Sequence, residues 1–147
     1  MAALHPFFVH FPIALLLAAV LFDGYAVLRD HQFSRTTAFS LQIMAALSAI
    51  LAAISGNQAE AAIVAQNELS KGVAETFNTH VSLGNLMVWI IVAVAVGRTF
   101  AILEKKNWST SGWVFPMLSL GLGILVLVTG LLGGQLSREI LQYFIQN

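Results

Sequence analysis

A four-helix membrane bundle is the architecture this sequence predicts, and three observations predict it. Four apolar runs, at about residues 8–28, 37–55, 79–102 and 113–136, are each long enough to cross roughly 30 Å of hydrocarbon as a helix, which takes about 20 residues. Of the 147 residues, 58% are hydrophobic and only 10% charged, with a mean hydropathy of +0.81, whereas a soluble domain carries about a quarter charged residues. The segments between the runs are short, so successive helices are expected to be antiparallel neighbours in a single all-α domain spanning 1–147.

Several function classes are excluded at this level. With no cysteine in the chain, disulfides, thiolate metal sites, iron–sulfur ligation and covalent c-type haem attachment are ruled out. Seven basic and seven acidic residues give zero formal net charge and no basic patch, which argues against nucleic acid as a partner. No Lys or Arg precedes Arg29, so the first run lacks the positive flank of a cleaved signal peptide and is expected to stay as a helix.

The first helix opens on His5-Pro6-Phe7-Phe8-Val9-His10-Phe11-Pro12, with two of the four histidines in eight residues at the mouth of a membrane span, where ionisable side chains usually have a function. Pro6 suits a short turn and Pro12 the first residue of the helix proper. A helix running through Pro12 would instead leave the Phe8 carbonyl without its partner. Phe7, Phe8 and Phe11 read as interface anchors. Asp23, near the far end, is expected to be an interfacial carboxylate paired with Arg29 or Arg98 rather than a proton relay.

The second helix is rich in Ala, Ser, Leu and Ile, which suits close packing, and Ser55-Gly56-Asn57 is a candidate C-cap. The polar stretch 57–78 carries a weak helical periodicity, so a short interfacial helix is expected between helices two and three, ended by Gly72. Thr79-His80 opens the third helix, with Leu83, Gly84, Met87 and Ile91 continuing the His80 face. Glu104, Lys105, Lys106, Trp108 and Trp113 mark the next interface. The fourth helix holds Gly130 and Gly134, a small-x-x-x-small pair that lets a helix or a flat ligand approach closely. The tail from Gln135 is expected on the membrane surface.

Arg29, Arg35, Arg98, Lys105 and Lys106 fall on one side of the membrane, against Lys71 and Arg138 on the other. By the positive-inside rule both termini are then non-cytoplasmic, in the inner (cytoplasmic) membrane of a bacterium. His5, His10 and His80 gather on the outer side and His31 alone on the inner, so the chain can hold at most one bis-histidine haem. His5 and His10 are five residues apart, about 140° around a helix, and do not chelate one ion from one face. A single b-type haem between His10 and His80 is therefore the expected site, with Gly84, Gly130 and Gly134 giving the macrocycle room and His5 beside it. Copper or zinc on His5, His10 and His80 is the alternative, since imidazole suits both metals. A histidine near a helix end can also simply hydrogen-bond a carbonyl or a lipid headgroup, with no cofactor.

The His5-Pro6-x-x-x-His10-Phe11-Pro12 opening, Asp23, the Ser-Gly of helix two, the histidine that opens helix three and the Thr129-Gly-x-x-Gly-Gly-x-Leu136 close resemble the domain-of-unknown-function 2231 family of four-helix membrane proteins over nearly the whole chain. The resemblance makes His5, His10 and His80 the family's pattern histidines. It implies an electron-transfer setting, because some members are joined to, or encoded beside, Rieske or cytochrome domains. Where many members continue with Leu-Val-x-x-His-Gly, this chain reads Leu136-Ser137-Arg138-Glu139-Ile140, so a further histidine of some relatives is missing.

The function expected is thus a small membrane haem b protein serving electron transfer beside other membrane or periplasmic redox subunits. A cofactor-free accessory subunit of a membrane complex is the alternative. The chain has no nucleophile with its base and no phosphate loop, which favours an electron-transfer or accessory subunit over a standalone enzyme. A transporter ranks last, because Pro12 is the one candidate helix break and no inverted repeat is visible.

Overall fold

A computed structural model describes residues 5–64, 71–104 and 113–146. The described residues form four helices, α1 (His5–Arg29), α2 (Gln32–Val64), α3 (Lys71–Leu103) and α4 (Val114–Gln146). All four are long and apolar enough to cross a membrane. Each helix packs on its sequence neighbours and α4 closes the ring against α1, with α1–α2 the most extensive interface. α1 and α3 therefore stand diagonally across the bundle, as do α2 and α4.

The core is narrow because its residues are small. Leu16 of α1 meets Ala45, Ala46 and Ala49 of α2, Met87, Ile91 and Ala95 of α3, and Leu122 and Val126 of α4. The alanine stripe of α2 lets α1 approach closely, as small residues do between membrane helices. The large side chains point the other way: Leu21, Leu28, Phe33, Trp89, Leu103 and Leu131 are each more than 70% exposed. In a bilayer that outer surface meets acyl chains, so the exposed apolar belt is the expected state of a membrane bundle and not an unpaired face.

The α1–α2 connection is a two-residue turn built by local hydrogen bonds. Asp30 adopts φ 47° and the His31 N–H donates to the Ala26 carbonyl at 3.1 Å, the bonding of a Schellman close with a left-handed residue at its apex. His31 then caps α2, its Nδ1 accepting from the Ser34 N–H at 3.3 Å. Asp30 and Arg35 pair across the turn at 2.7 Å.

Three expectations about helix boundaries are corrected. Among the described residues there is no separate short interfacial helix between helices two and three. Instead α2 runs through Ser55-Gly56-Asn57 to Val64, and α3 starts at Lys71, before Gly72. Among the described residues no glycine takes the left-handed conformation that closes a helix. A helical glycine is disfavoured by only about 1 kcal/mol relative to Ala, and the Gln, Ala and Glu after Asn57 are good helix formers. Pro12 likewise lies inside α1 and is buried, so the helix accepts the loss of one donor to the Phe8 carbonyl. Finally, Gln135 to Gln146 continues α4 without a break. Lys105, Lys106, Trp108 and residues 65–70, the middle of the polar stretch, lie outside the described residues.

Candidate functional site

Helix register decides which histidine faces inward. The buried residues of α1 are Pro12, Leu16, Ala19, Asp23 and Ala26, alternating steps of four and three that keep one face toward the core. Seven residues before Pro12 on the same face stands His5. His10 lies about 140° from it, and its side chain is exposed, with Nδ1–H donating to the Pro6 carbonyl one turn back. On α3, His80 sits seven residues before the buried Met87, on the core face. The histidine of α1 that faces the core at the same end as His80 is therefore His5 and not His10.

Each ring is seated against a glycine of a neighbouring helix. A Cβ on Gly56 of α2 would stand 3.0 Å from His5 Cε1, and one on Gly133 of α4 would stand 2.8 Å from His80 Cε1. Real Cβ atoms essentially never approach as closely as the one at Gly133 would, and a Cβ at Gly56 would require the His5 ring to give by a few tenths of an ångström, so both imidazoles lie tightly against the glycine backbone. Ser55, one residue before Gly56, is 1% exposed. Its hydroxyl donates to the Ala52 carbonyl at 2.8 Å, and its oxygen lies 3.0 Å from His5 Nδ1. His80 has the Thr129 backbone beside it, yet its Nδ1 is buried with no hydrogen-bond partner among the described residues.

The three glycines expected to shape the site behave differently from Gly133. Gly84 and Gly134 have nothing within 4 Å of an added Cβ, and Gly130 faces Ile13 Cδ1 at 3.3 Å, a helix-packing contact. Phe7 and Phe11 stack edge to face at 5.1 Å on the outside of the bundle, as interface anchors would.

The opposite end of the bundle carries a second polar cluster. Asp23 of α1 is 2% exposed and pairs with Arg98 of α3, Nη2 to Oδ1 at 2.7 Å and Nη1 to Oδ2 at 2.8 Å. Of the two partners expected for this carboxylate, Arg98 is the one it meets, and the pair is buried rather than interfacial. Gln42 of α2 accepts from Arg98 Nη1 through Oε1 at 3.1 Å, and Ser119 of α4 donates to Asp23 Oδ2 at 2.6 Å. The Phe115 ring lies 5.2 Å from the guanidinium carbon, a cation–π contact. Phe115 also lines an apolar groove of about 360 Å³ between α3 and α4, at this end and away from the histidines.

Gln42 and Ser119 are not legible as partners in the sequence, where they are single polar residues inside apolar runs. Topology supplies the missing signal. In an up-down bundle Asp23, Gln42, Arg98 and Ser119 all fall about 8 to 15 Å from the helix ends at the same face, at 1.5 Å per residue. Counting back in sevens from the buried Ala26 would similarly have selected His5.

The amino-acid sequence matches the pattern of one family, described as predicted membrane protein (DUF2231), over residues 1–141. No curated protein and no solved structure matches the chain.

Proposed function

We propose, for a chain that belongs to the predicted membrane protein (DUF2231) family, that it holds one b-type haem between His5 and His80 and passes single electrons at that membrane face, as a subunit of a larger redox complex. The observation that carries this reading is that two imidazoles from diagonal helices, each seated on a glycine, lie on the core faces of their helices at one end of the bundle. Membrane bundles build cofactor sites from facing helices in this way.

The donor set favours haem over a bare ion. Zinc or copper takes three or four protein ligands, and among the described residues no group of three His, Cys, Asp or Glu side chains converges. Haem brings four nitrogens of its own and asks the protein for only one or two axial ligands. When bound, it supplies reversible one-electron chemistry. His5 and His80 would hold it by their neutral ring nitrogens, and the two glycines admit their rings. His80 Nδ1, with no hydrogen-bond partner among the described residues, is a ring nitrogen left open to a ligand.

The site faces the side with fewer basic residues. With Arg29, Arg35 and Arg98 on the Asp23 end, followed in the sequence after α3 by Lys105 and Lys106, against Lys71 and Arg138 on the other, the non-cytoplasmic face of a bacterial inner membrane is the orientation we infer. Electrons would then be exchanged with periplasmic or membrane partners. Because the chain contains no cysteine, a single Ser137→Cys variant tests this without background: an impermeant maleimide added to intact spheroplasts should label it and leave Gln32→Cys unlabelled.

The deciding measurement is an absorption spectrum of protein purified from haem-replete cells. A Soret band with reduced α and β bands is expected, lost in His5→Ala and His80→Ala and retained in His10→Ala. A colourless wild-type preparation overturns the reading. The four-helix Asp23–Arg98 cluster, which locks the bundle without any cofactor, favours a second reading, the cofactor-free accessory subunit. Its signature is colourless protein that co-purifies with a membrane partner.

A further inference from the structure

The two histidines are seated alike but oriented differently. His80 lies on Gly133 with Nδ1 buried and unpartnered among the described residues. His5 lies on Gly56 with Nδ1 at 3.0 Å from the hydroxyl oxygen of Ser55. That hydroxyl has one proton, and its geometry sends the proton to the Ala52 carbonyl three residues back, at 2.8 Å. Serines inside helices habitually bond their own preceding turn in this way. A hydroxyl that donates to Ala52 presents its oxygen to the imidazole as an acceptor, and in that arrangement the hydrogen between them belongs to Nδ1.

We propose that Ser55 is a positioning residue, whose hydroxyl holds His5 as the Nδ1–H tautomer and leaves Nε2 as the lone-pair nitrogen that binds the axial position of the haem. Neighbouring residues of one helix thus do two things for the same ring: Gly56 lets it lie against α2, and Ser55 sets which nitrogen is the donor. An acceptor on the non-ligating nitrogen of a coordinating histidine fixes its orientation and raises its basicity, and loss of such a partner typically changes metal affinity 10- to 100-fold. A more basic ligand favours ferric over ferrous iron, so with a haem bound Ser55 would lower its reduction potential and removal of the hydroxyl would raise it.

The ligand part of this inference rests on the haem reading, whereas the tautomer does not. The test accordingly has two arms. In haem-free, 15N-histidine-labelled protein, long-range 15N–1H correlation spectra should show wild-type His5 protonated at Nδ1, with Nε2 in the unprotonated range. Ser55→Thr, which keeps a hydroxyl, should preserve that pattern, and Ser55→Val, its isostere, should lose it. In haem-loaded protein, Ser55→Ala should retain the Soret band while shifting the ferrous-to-ferric ratio at fixed potential about tenfold toward ferrous, which is about 59 mV for one electron. Ser55→Thr should restore the wild-type value. Wild-type His5 protonated at Nε2 would overturn the proposal without any variant having to fold. An unchanged potential in Ser55→Ala would overturn the tuning role. A colourless wild type with the Nδ1–H tautomer intact would sink the haem reading and confine Ser55 to fixing the tautomer.

Discussion

At the Asp23 end, each of the four helices contributes one polar side chain, and the carboxylate, guanidinium and hydroxyl complete one another. At the His5 end two imidazoles lie on the core faces of their helices, one bonded to Ser55 and the other with Nδ1 buried and unpartnered among the described residues. The difference separates two uses of polarity inside a membrane bundle. The carboxylate, guanidinium and hydroxyl specify which helices meet and in what register, and leave only Gln42 Nε2 without a partner among the described residues. At the other end the unpartnered atom is a ring nitrogen, which is expensive to keep buried and which the haem reading would supply with a ligand.

The largest effect expected from breaking this contrast lies at the satisfied end. Arg98 is 5% exposed, and replacing it with Ala leaves Asp23 buried with only the Ser119 hydroxyl. Removing one partner of a buried ion pair typically costs about 3–5 kcal/mol, whereas replacing both by apolar residues is often neutral. Arg98→Ala should therefore sharply lower the unfolding midpoint in detergent, and Asp23→Leu with Arg98→Leu should recover most of it. If the double variant is as unstable as the single, the cluster has a role beyond joining helices.

At the histidine end, the haem reading predicts that the corresponding change removes the ligand and spares the fold. Gly133→Ala puts a Cβ where it would stand 2.8 Å from His80 Cε1, so the ring must shift. The helix itself gains, since Ala is favoured over Gly by about 1 kcal/mol. Haem occupancy should fall about tenfold or more, in line with other disturbed ligand supports, with thermal stability unchanged or raised. Gly134→Ala, one residue on, meets nothing within 4 Å and should leave the spectrum as it is. Equal behaviour of the two variants would break the assignment of Gly133 as the seat of His80.

These predictions also show what the sequence could and could not disclose. Four apolar runs and few charges suffice for the bundle, because a bilayer admits only structures that satisfy their own backbone. Helix ends were harder: Ser55-Gly56-Asn57 has the composition of a cap, yet its glycine serves a side chain from α1 rather than a turn. His80 was placed on the inner face by its own helical spacing. Depth along the membrane pairs His10 with His80, whereas the register set by Leu16, Ala19 and Asp23 puts His5 on the core face. Gln42 and Ser119 carry no local signal, since each is defined only by what three other helices bring to the same depth.

Smaller effects should grade the satisfied cluster from within. Ser119→Ala removes one donor to Asp23 Oδ2, at 2.6 Å, and leaves the bidentate Arg98 contacts in place. Hydrogen bonds between membrane helices average about 0.6 kcal/mol and reach about 1.7, so a loss near 1 kcal/mol is expected in the same unfolding assay. A loss as large as that of Arg98→Ala would mean that the hydroxyl, rather than the guanidinium, holds the carboxylate.

Gln42→Leu should be the mildest change, for a reason that isolates the logic of the cluster. Its Oε1 accepts from Arg98 Nη1 at 3.1 Å, the longest bond of the set, and that same nitrogen also donates to Asp23. Its Nε2, on a side chain 1% exposed, has no partner among the described residues. Leucine thus removes one shared hydrogen bond and, together with it, one unsatisfied buried donor, and replaces an amide by an apolar group of similar size. Losing the bond destabilises by about 0.5–1.5 kcal/mol, while burying an unpaired amide costs about 1–3 kcal/mol. The two oppose each other, and a net change within about 1 kcal/mol of either sign is expected. A loss of several kcal/mol in Gln42→Leu would instead show that the amide nitrogen is engaged in the folded protein, by a partner outside the contacts that join the four helices.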